Sequence, residues 1–418
     1  METHLNKRTI SALLFFTILL AACARPGAGV ETTPTLDQAA VDTAVAEMLQ
    51  ATLQAGQPSP TAAGAAEPTA TATLAELPQP TPASPYAGLV YRLGDQLFEL
   101  GPDGQPLPLA PGIDPQYLPG QFTPRAVISP DSQWMISWWD WSDLWVVELA
   151  TGQVRNLTNT PGQEECCAQF WPSRPEVIIF LTRQVETDGI SSGNMAAVNL
   201  DGSEYHVLDE TAALIGSPAL SPDGNAIAYD RSGRPWLYQW EVGPEAFIPA
   251  DYGLQTPPEN YGLTSPTWSP SGGYLTWMVS GDLDGSGKPQ GGVALFDLGS
   301  KTYRLVHPFE PIGTEGGLLA PVWSPNGNWL AIFESSLSQP GVWVTHLDGS
   351  GAQLVYAPGS ARSTLGLQAF WSPAGQRLLV SDPNAEGGIR LTLADLSSGQ
   401  IEASPLPEGA LPLAWLED

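Results

Sequence analysis

Three tryptophans and two aspartates fall within six residues, Trp138-Trp139-Asp140-Trp141-Ser142-Asp143. Indole rings offer flat apolar faces and one donor each, and carboxylates offer acceptors. Together they supply what stacking recognition of a sugar or a peptide needs. The competing reading packs some of these rings between structural units, where they touch no ligand. Tyr252 and Tyr261, in a Pro-rich stretch that also holds Asp251 and Glu259, would extend the same surface. A second group is Asp282, Asp284 and Ser286, with oxygens at positions 1, 3 and 5 of a calcium loop and Gly287 at position 6. Position 12 is Val293, where a bidentate Glu belongs. Calcium is therefore half specified, and Asp/Gly-rich loops produce such fragments by composition alone. No other cofactor is expected.

Cysteine is scarce, at three residues. Cys23 belongs to an N-terminal targeting pattern, which leaves Cys166 and Cys167 adjacent behind Glu164-Glu165. In an oxidising compartment these two either close a vicinal disulfide or remain as small buried thiols. The run Gly189-Ile-Ser191-Ser-Gly193 has the spacing of a nucleophile elbow, but it lies between β-like segments with no helix to follow, so it is rejected. His206, His307 and His346 fall in different repeat units and suggest neither a metal cluster nor a triad. No catalytic residue is assigned. Acidic pairs suited to glycoside chemistry remain open, because carboxylates are plentiful and their separations are not legible in a sequence.

The first residues set the address. Lys7 and Arg8 precede the apolar run Ile10 to Leu20, and Leu20-Ala-Ala-Cys23 follows. A basic start, a short apolar core and small residues before the cut make a secretory signal over residues 1–22. The tetrad resembles the bacterial lipobox, which implies a lipidated Cys23 and an extracytoplasmic protein tethered to the cell membrane by lipid. An ordinary signal peptide or an uncleaved anchor is the alternative. Thr35-Leu-Asp-Gln38 is a capping box opening a short helix over about 36–55. The Pro/Thr/Ala-rich segment to residue 86 reads as a tether. The net charge of −28 argues against nucleic acid and against docking on an anionic lipid surface by charge.

What must position these groups is a repeat. Ser129-Pro130, Trp171-Pro172, Ser221-Pro222, Ser269-Pro270, Ser324-Pro325 and Ser372-Pro373 each sit between short apolar runs, 42, 50, 48, 55 and 48 residues apart. Pro presets φ, Asp or Asn bonds its own backbone and Gly accepts positive φ, so Pro-Asp-Gly and Pro-Asn-Gly join a first strand to a second. A third strand closes on Asp-Leu-x-x-Gly punctuation, as in Ala294 to Ser300, and a short fourth follows. Four alternating strands per unit make one blade of a β-propeller. Residues 87–109 lack a first strand, and Leu411 to Trp415 is a first strand with nothing after it. Joined, they complete a seventh blade, so residues 87–418 read as an all-β, seven-bladed propeller.

The Ser-Pro-Asp-Gly turn with its following strand and Asp-Leu-x-x-Gly hairpin resembles the TolB-like propellers, relatives of the WD-repeat propellers. The resemblance covers about residues 86–418 and implies protein partners in the cell envelope. In this geometry the loops between strands two and three and those between blades share one face, where they are long and individual. The expectation is a non-catalytic module that binds protein, peptide or glycan on that face. The alternative is a carbohydrate-active hydrolase or lyase using carboxylates at the channel mouth.

Overall fold

The structure, a computed structural model, describes residues 84–416 apart from positions 120–125, 139–141, 187–188, 191–192, 211–217, 232–233, 241, 253–260, 283–285, 289, 312–318, 337, 360–363, 365, 384 and 386–387. The expected signal segment, Cys23, the helix and the tether lie outside the described residues. Seven antiparallel sheets follow one another along the chain. Strands are numbered in chain order. Blade one is β1 (Leu89–Leu93), β2 (Gln96–Leu100) and β3 (Pro106–Leu109), with β29 (Leu411–Trp415) on its inner edge. Blade two is β4 (Ala126–Ile128), β5 (Trp134–Ser137), β6 (Trp145–Glu148) and β7 (Val154–Asn156). Blade three is β8 (Gln163–Trp171), β9 (Arg174–Glu186), β11 (Asn194–Asn199) and β12 (His206–Asp209), with the short β10 (Gly189–Ile190) pairing back on β9.

Blade four is β13 (Ala219–Leu220), β14 (Ala226–Arg231), β15 (Arg234–Gln239) and β16 (Gly243–Ala246). Blade five is β17 (Tyr261–Trp268), β18 (Tyr274–Gly281), β19 (Gln290–Asp297) and β20 (Thr302–Phe309). Blade six is β21 (Val322–Trp323), β22 (Trp329–Glu334), β23 (Gly341–His346) and β24 (Gln353–Tyr356). Blade seven is β25 (Gln368–Trp371), β26 (Arg377–Asp382), β27 (Arg390–Asp395) and β28 (Gln400–Ala403).

The Ser-Pro repeat has a direct physical cause. Ser129, Ser221, Ser269, Ser324 and Ser372 are all buried, and each hydroxyl accepts the backbone N–H five residues on, at 2.9–3.0 Å. The serine thereby closes the turn from strand one to strand two and satisfies an amide that the ladder leaves open. Blade three has Trp171 in place of this serine, and its strands turn tightly with Trp171 opposite Arg174.

The tryptophan before the serine works between blades. The Trp268 indole donates to Ala219 O and the Trp371 indole to Val322 O, both at 3.1 Å, so each ties its own inner strand to the inner strand of the preceding blade. In blades five and seven the repeat thus carries a hydrogen bond across neighbouring blades, whereas Trp323 at the same place in blade six packs in the core without one.

Strict alternation of apolar and polar residues does not hold in the second strands. Ile178, Ile179 and Phe180 are consecutive and fully buried, as are Leu275, Thr276 and Trp277, and Leu378, Leu379 and Val380. Both faces of a blade are covered by its neighbours, so a continuous apolar run replaces the half-buried pattern.

The ring closes where the sequence placed the closure. β29 pairs antiparallel with β1, Leu89 opposite Trp415 and Arg92 opposite Leu411. Gly88 has φ +78°, and a Cβ there would stand 2.5 Å from Leu416 O, so only glycine admits the returning strand. The Trp415 indole donates to Ala87 O at 2.9 Å.

Candidate functional site

Strands one and three run away from the loop-rich face and strands two and four run toward it. The chain therefore delivers polar residues to that face at the beginning of first strands and at the ends of second and fourth strands. Among the described residues, the junction between blades two and three carries a dense group of this kind. Glu165 lies near the start of β8 and is fully buried. Its backbone N–H donates to Ser142 O at 3.0 Å, an isolated bridge that pins the loop after β5 onto β8. Its carboxyl accepts the Thr158 hydroxyl at 3.2 Å and also takes a close hydrogen bond from the Thr160 hydroxyl.

Asp143 completes the group. One of its oxygens accepts the Asn156 side-chain amide at 2.6 Å, and the other accepts the Thr160 N–H at 3.1 Å and the Thr160 hydroxyl at 3.4 Å. Thr160 thus stands between the two carboxyls. Burial is the main force on Glu165 and raises its pKa to about 7; the Asp143 charge pushes the same way, and the two threonine hydroxyls oppose it. Beside it Gln163 accepts from the Thr182 hydroxyl at 2.8 Å and from the Tyr205 hydroxyl at 3.2 Å. Burial chiefly, with the nearby Glu165, raises the Tyr205 phenol. Glu164 is paired with Arg183 at 2.7 Å.

Cys166 and Cys167 follow directly and stand joined as a vicinal disulfide, Cys166 buried and Cys167 half-buried. Cys167 has φ +61°, a left-handed conformation that residues with a Cβ seldom adopt. The pairing with β9 slips at this point, from Cys166 opposite Leu181 to Gln169 opposite Ile179. Two β8 residues face one β9 residue, which is a β-bulge.

The aromatic surface is corrected in part. Trp138 is 7 % exposed and belongs to the core packed between blades two and three, with Ile136, Leu144 and Phe180. It is a packing residue, because it directly continues the buried end of β5. Trp139, Asp140 and Trp141 lie outside the described residues. Tyr252 ends a 3-10 turn over Pro249–Tyr252 and Tyr261 opens β17, but their side chains are not among those described. Asp282 accepts the Gly287 N–H at 3.0 Å, which closes its loop locally. Asp284 lies outside the described residues, and among the described residues no three His, Cys, Asp or Glu side chains gather as a metal site. The structure therefore brings together Asp143, Cys166 and Cys167 and adds Glu165, which sequence reasoning left unassigned. Its signal was Glu165 standing immediately before the cysteines at the head of an inner strand.

Three other blade junctions carry polar locks between a fourth strand and the next second strand. Tyr229 donates to Asp209 at 2.6 Å, with Arg231 at 3.8 Å from the same carboxylate. His307 meets Glu334 at 2.6 Å, and the Tyr356 hydroxyl donates to Asp382. Arg231, Glu334 and Asp382 each end a second strand.

No protein-family model matches the chain, and no curated protein matches its sequence. Solved structures do match its shape. Oligogalacturonate lyase from Vibrio parahaemolyticus superposes with a TM-score of 0.53 at 12% identity, over 73% of this chain and 84% of that one. An oligogalacturonate lyase in complex with manganese gives 0.52 at 16% identity, over 72% and 82%. TolB from Acinetobacter baumannii gives a more distant 0.42 at 13% identity, over 78% of each chain. Identities this low speak to the fold alone, through the two lyase structures, and carry nothing about activity.

Proposed function

We propose that this chain is a lipid-anchored extracytoplasmic protein whose propeller binds a protein, peptide or glycan partner on its loop-rich face without transforming it. The observation that carries the reading is the contrast between the two rims. The turn rim repeats one device five times, a buried serine closing a tight turn. At the other rim the connections between second and third strands run from two residues in blades one and four to eight in blade five, while polar groups at the loop roots hold blades together: Glu165 with Ser142, Asp209 with Tyr229, Glu334 with His307. A rigid scaffold with individual loops is the arrangement binding proteins use. Trp139, Asp140 and Trp141 are the recognition candidates, with Tyr252 and Tyr261 as further ones, and Cys23 is the lipid attachment point. The test is capture on glycan and peptide arrays by the exported chain and by a Trp139→Ala/Trp141→Ala variant. Selective capture lost in the variant supports the reading, and equal capture by both removes the tryptophans from it.

The Asp143–Glu165 pair favours a second reading, a carbohydrate-active hydrolase or lyase. Burial raises Glu165 to about 7, the direction a general acid needs. Against it stands the full burial of Glu165. Turnover of a uronate or neutral oligosaccharide, abolished by Glu165→Gln, would move the assignment to this reading.

A further inference from the structure

We infer that the outer edge of blade five is a docking site for an extended acidic peptide, which adds to β20 as a further strand of that sheet. Strand length is the first observation. β20 runs for eight residues, whereas the outer strands of the other blades, β3, β7, β12, β16, β24 and β28, have three or four. It is the last strand of its sheet, so no described strand pairs with the backbone groups along its outer side. Proline blunts two of the shorter edges as well, with Pro106 and Pro108 in β3 and Pro244 in β16. In β20 the register breaks only beyond Val306, where His307 takes φ +50° and Pro308 offers no N–H. Thr302 to Val306 is therefore an unbroken template.

Charge and shape say what fits it. The chain holds 44 acids against 16 bases. Yet Lys288 and Lys301, the two lysines that follow Lys7, both belong to blade five, and Arg304 lies on β20 itself. All three are exposed, and among the described residues none stands in an ion pair. Of the acids nearby, Asp297 accepts the Gly299 and Ser300 N–H groups at 3.0 and 2.9 Å, and Glu310 lies beyond the unbroken stretch. At the loop-rich end of β20 a hollow of about 480 Å³ is lined by Lys288, Gln290, Leu305, Pro308, Phe309 and Glu310. Gly291 and Gly292 make room for its floor. A Cβ on Gly291 would stand 2.7 Å from Phe309 Cε2, and one on Gly292 would stand 2.8 Å from Leu305 Cδ1. The hollow takes one apolar side chain of the peptide, the three cations meet its carboxylates, and main-chain hydrogen bonds hold it to Thr302–Val306. A second copy of this chain is the poorer occupant, because two β20 edges would set like charges against each other.

The site is independent of Trp139 and Trp141, which belong to the loop after β5 in blade two. The experiment selects short random peptides from a displayed library on the full chain and measures the enriched ones by fluorescence anisotropy. Enriched peptides should combine several acidic residues with a large apolar one, and Lys301→Glu/Arg304→Glu should weaken them about tenfold. Methylating alternate backbone nitrogens of a peptide should abolish binding in one of the two alternations, since strand addition uses the main chain. Bound peptide should slow amide exchange within Thr302–Val306 about tenfold and leave Gln353–Tyr356, the outer strand of blade six, unchanged. Enrichment of no peptide, of basic peptides, or of peptides that bind the double variant equally well overturns the proposal. So does a dimer of the chain that the double variant dissolves, which would make a second copy the occupant. Should the double variant fail to fold, the methylation and exchange results on the natural chain decide alone. The Trp139→Ala/Trp141→Ala chain should bind these peptides as the natural chain does, so a failure of the loop-rich-face reading leaves this site standing.

Discussion

Glu165 shows how burial turns an ordinary carboxyl into a pH-sensitive one. Its pKa is raised from 4.5 to about 7, so the folded protein binds a proton there that the unfolded chain has lost. A raised carboxyl stabilises the fold below the unfolded value, and that contribution disappears as pH climbs from about 4.5 through about 7. Glu165→Gln should remove this slope. Thermal melts of both proteins should coincide near pH 4.5, and the variant should be more stable at pH 8 by roughly 1–2 kcal/mol after allowance for solvent screening. A parallel pH profile for the two proteins would show that the carboxyl is ionised in the fold. Tyr356 belongs to the same scale. Burial, with the hydrogen bond to Asp382, raises its phenol, which stays protonated and donating. Tyr356→Phe removes a donor to a buried carboxylate and should cost about 2 kcal/mol by denaturant titration.

At the scale of the strand pair, the serine before each proline is the critical group. Ser324 is fully buried, and its hydroxyl accepts the Trp329 N–H at 2.9 Å. Ser324→Ala leaves that amide without this acceptor and should cost about 1–3 kcal/mol. Ser271, exposed in the corresponding turn of blade five, provides the comparison, and Ser271→Ala should change stability by no more than about 0.5 kcal/mol. Equal losses from the two substitutions, measured by urea unfolding, would show that turn composition matters and the buried acceptor does not. Elements also explain why the blade interfaces need polar locks. Second strands are apolar through their middles and end in Arg231, Glu334 and Asp382, where each meets the loop-rich rim. Charges are tolerated there because the preceding blade supplies a partner.

For the whole molecule, closure is the decisive event. β29 is hydrogen-bonded to β1, more than three hundred residues away in sequence, and the Trp415 indole reaches back to Ala87. Without this strand, blade one would present an open inner edge and Leu89 and Tyr91 would lose their cover. Deleting residues 411–418 should abolish the single cooperative melting transition seen by calorimetry and expose apolar surface to a reporter dye. A truncated chain that still melted in one sharp transition would show that six complete blades hold the ring unaided. The acidic character of the chain acts at this scale too, favouring solubility and disfavouring polyanionic partners.

The sequence by itself determined the scaffold. The Ser-Pro period, the Pro-Asp-Gly and Pro-Asn-Gly turns and the split blade at the two ends specify seven sheets and their closure, because turn chemistry and strand content are local properties. It also located Cys166 and Cys167 at the head of an inner strand. Tertiary structure decided the rest. Trp138 looked like part of a binding platform and is a packing residue, since only the neighbouring blade shows which side of the loop is covered. Glu165 became the centre of the candidate site because Ser142, and Asp143 through Thr160, reach it from one stretch of chain and Thr158 and Thr160 from another. The locks Asp209–Tyr229, His307–Glu334 and Tyr356–Asp382 join residues 20–27 positions apart, with no regular spacing to betray them. Repetition in a sequence reports what every blade must do alike; burial and pairing between unlike residues depend on which blades the ring sets side by side.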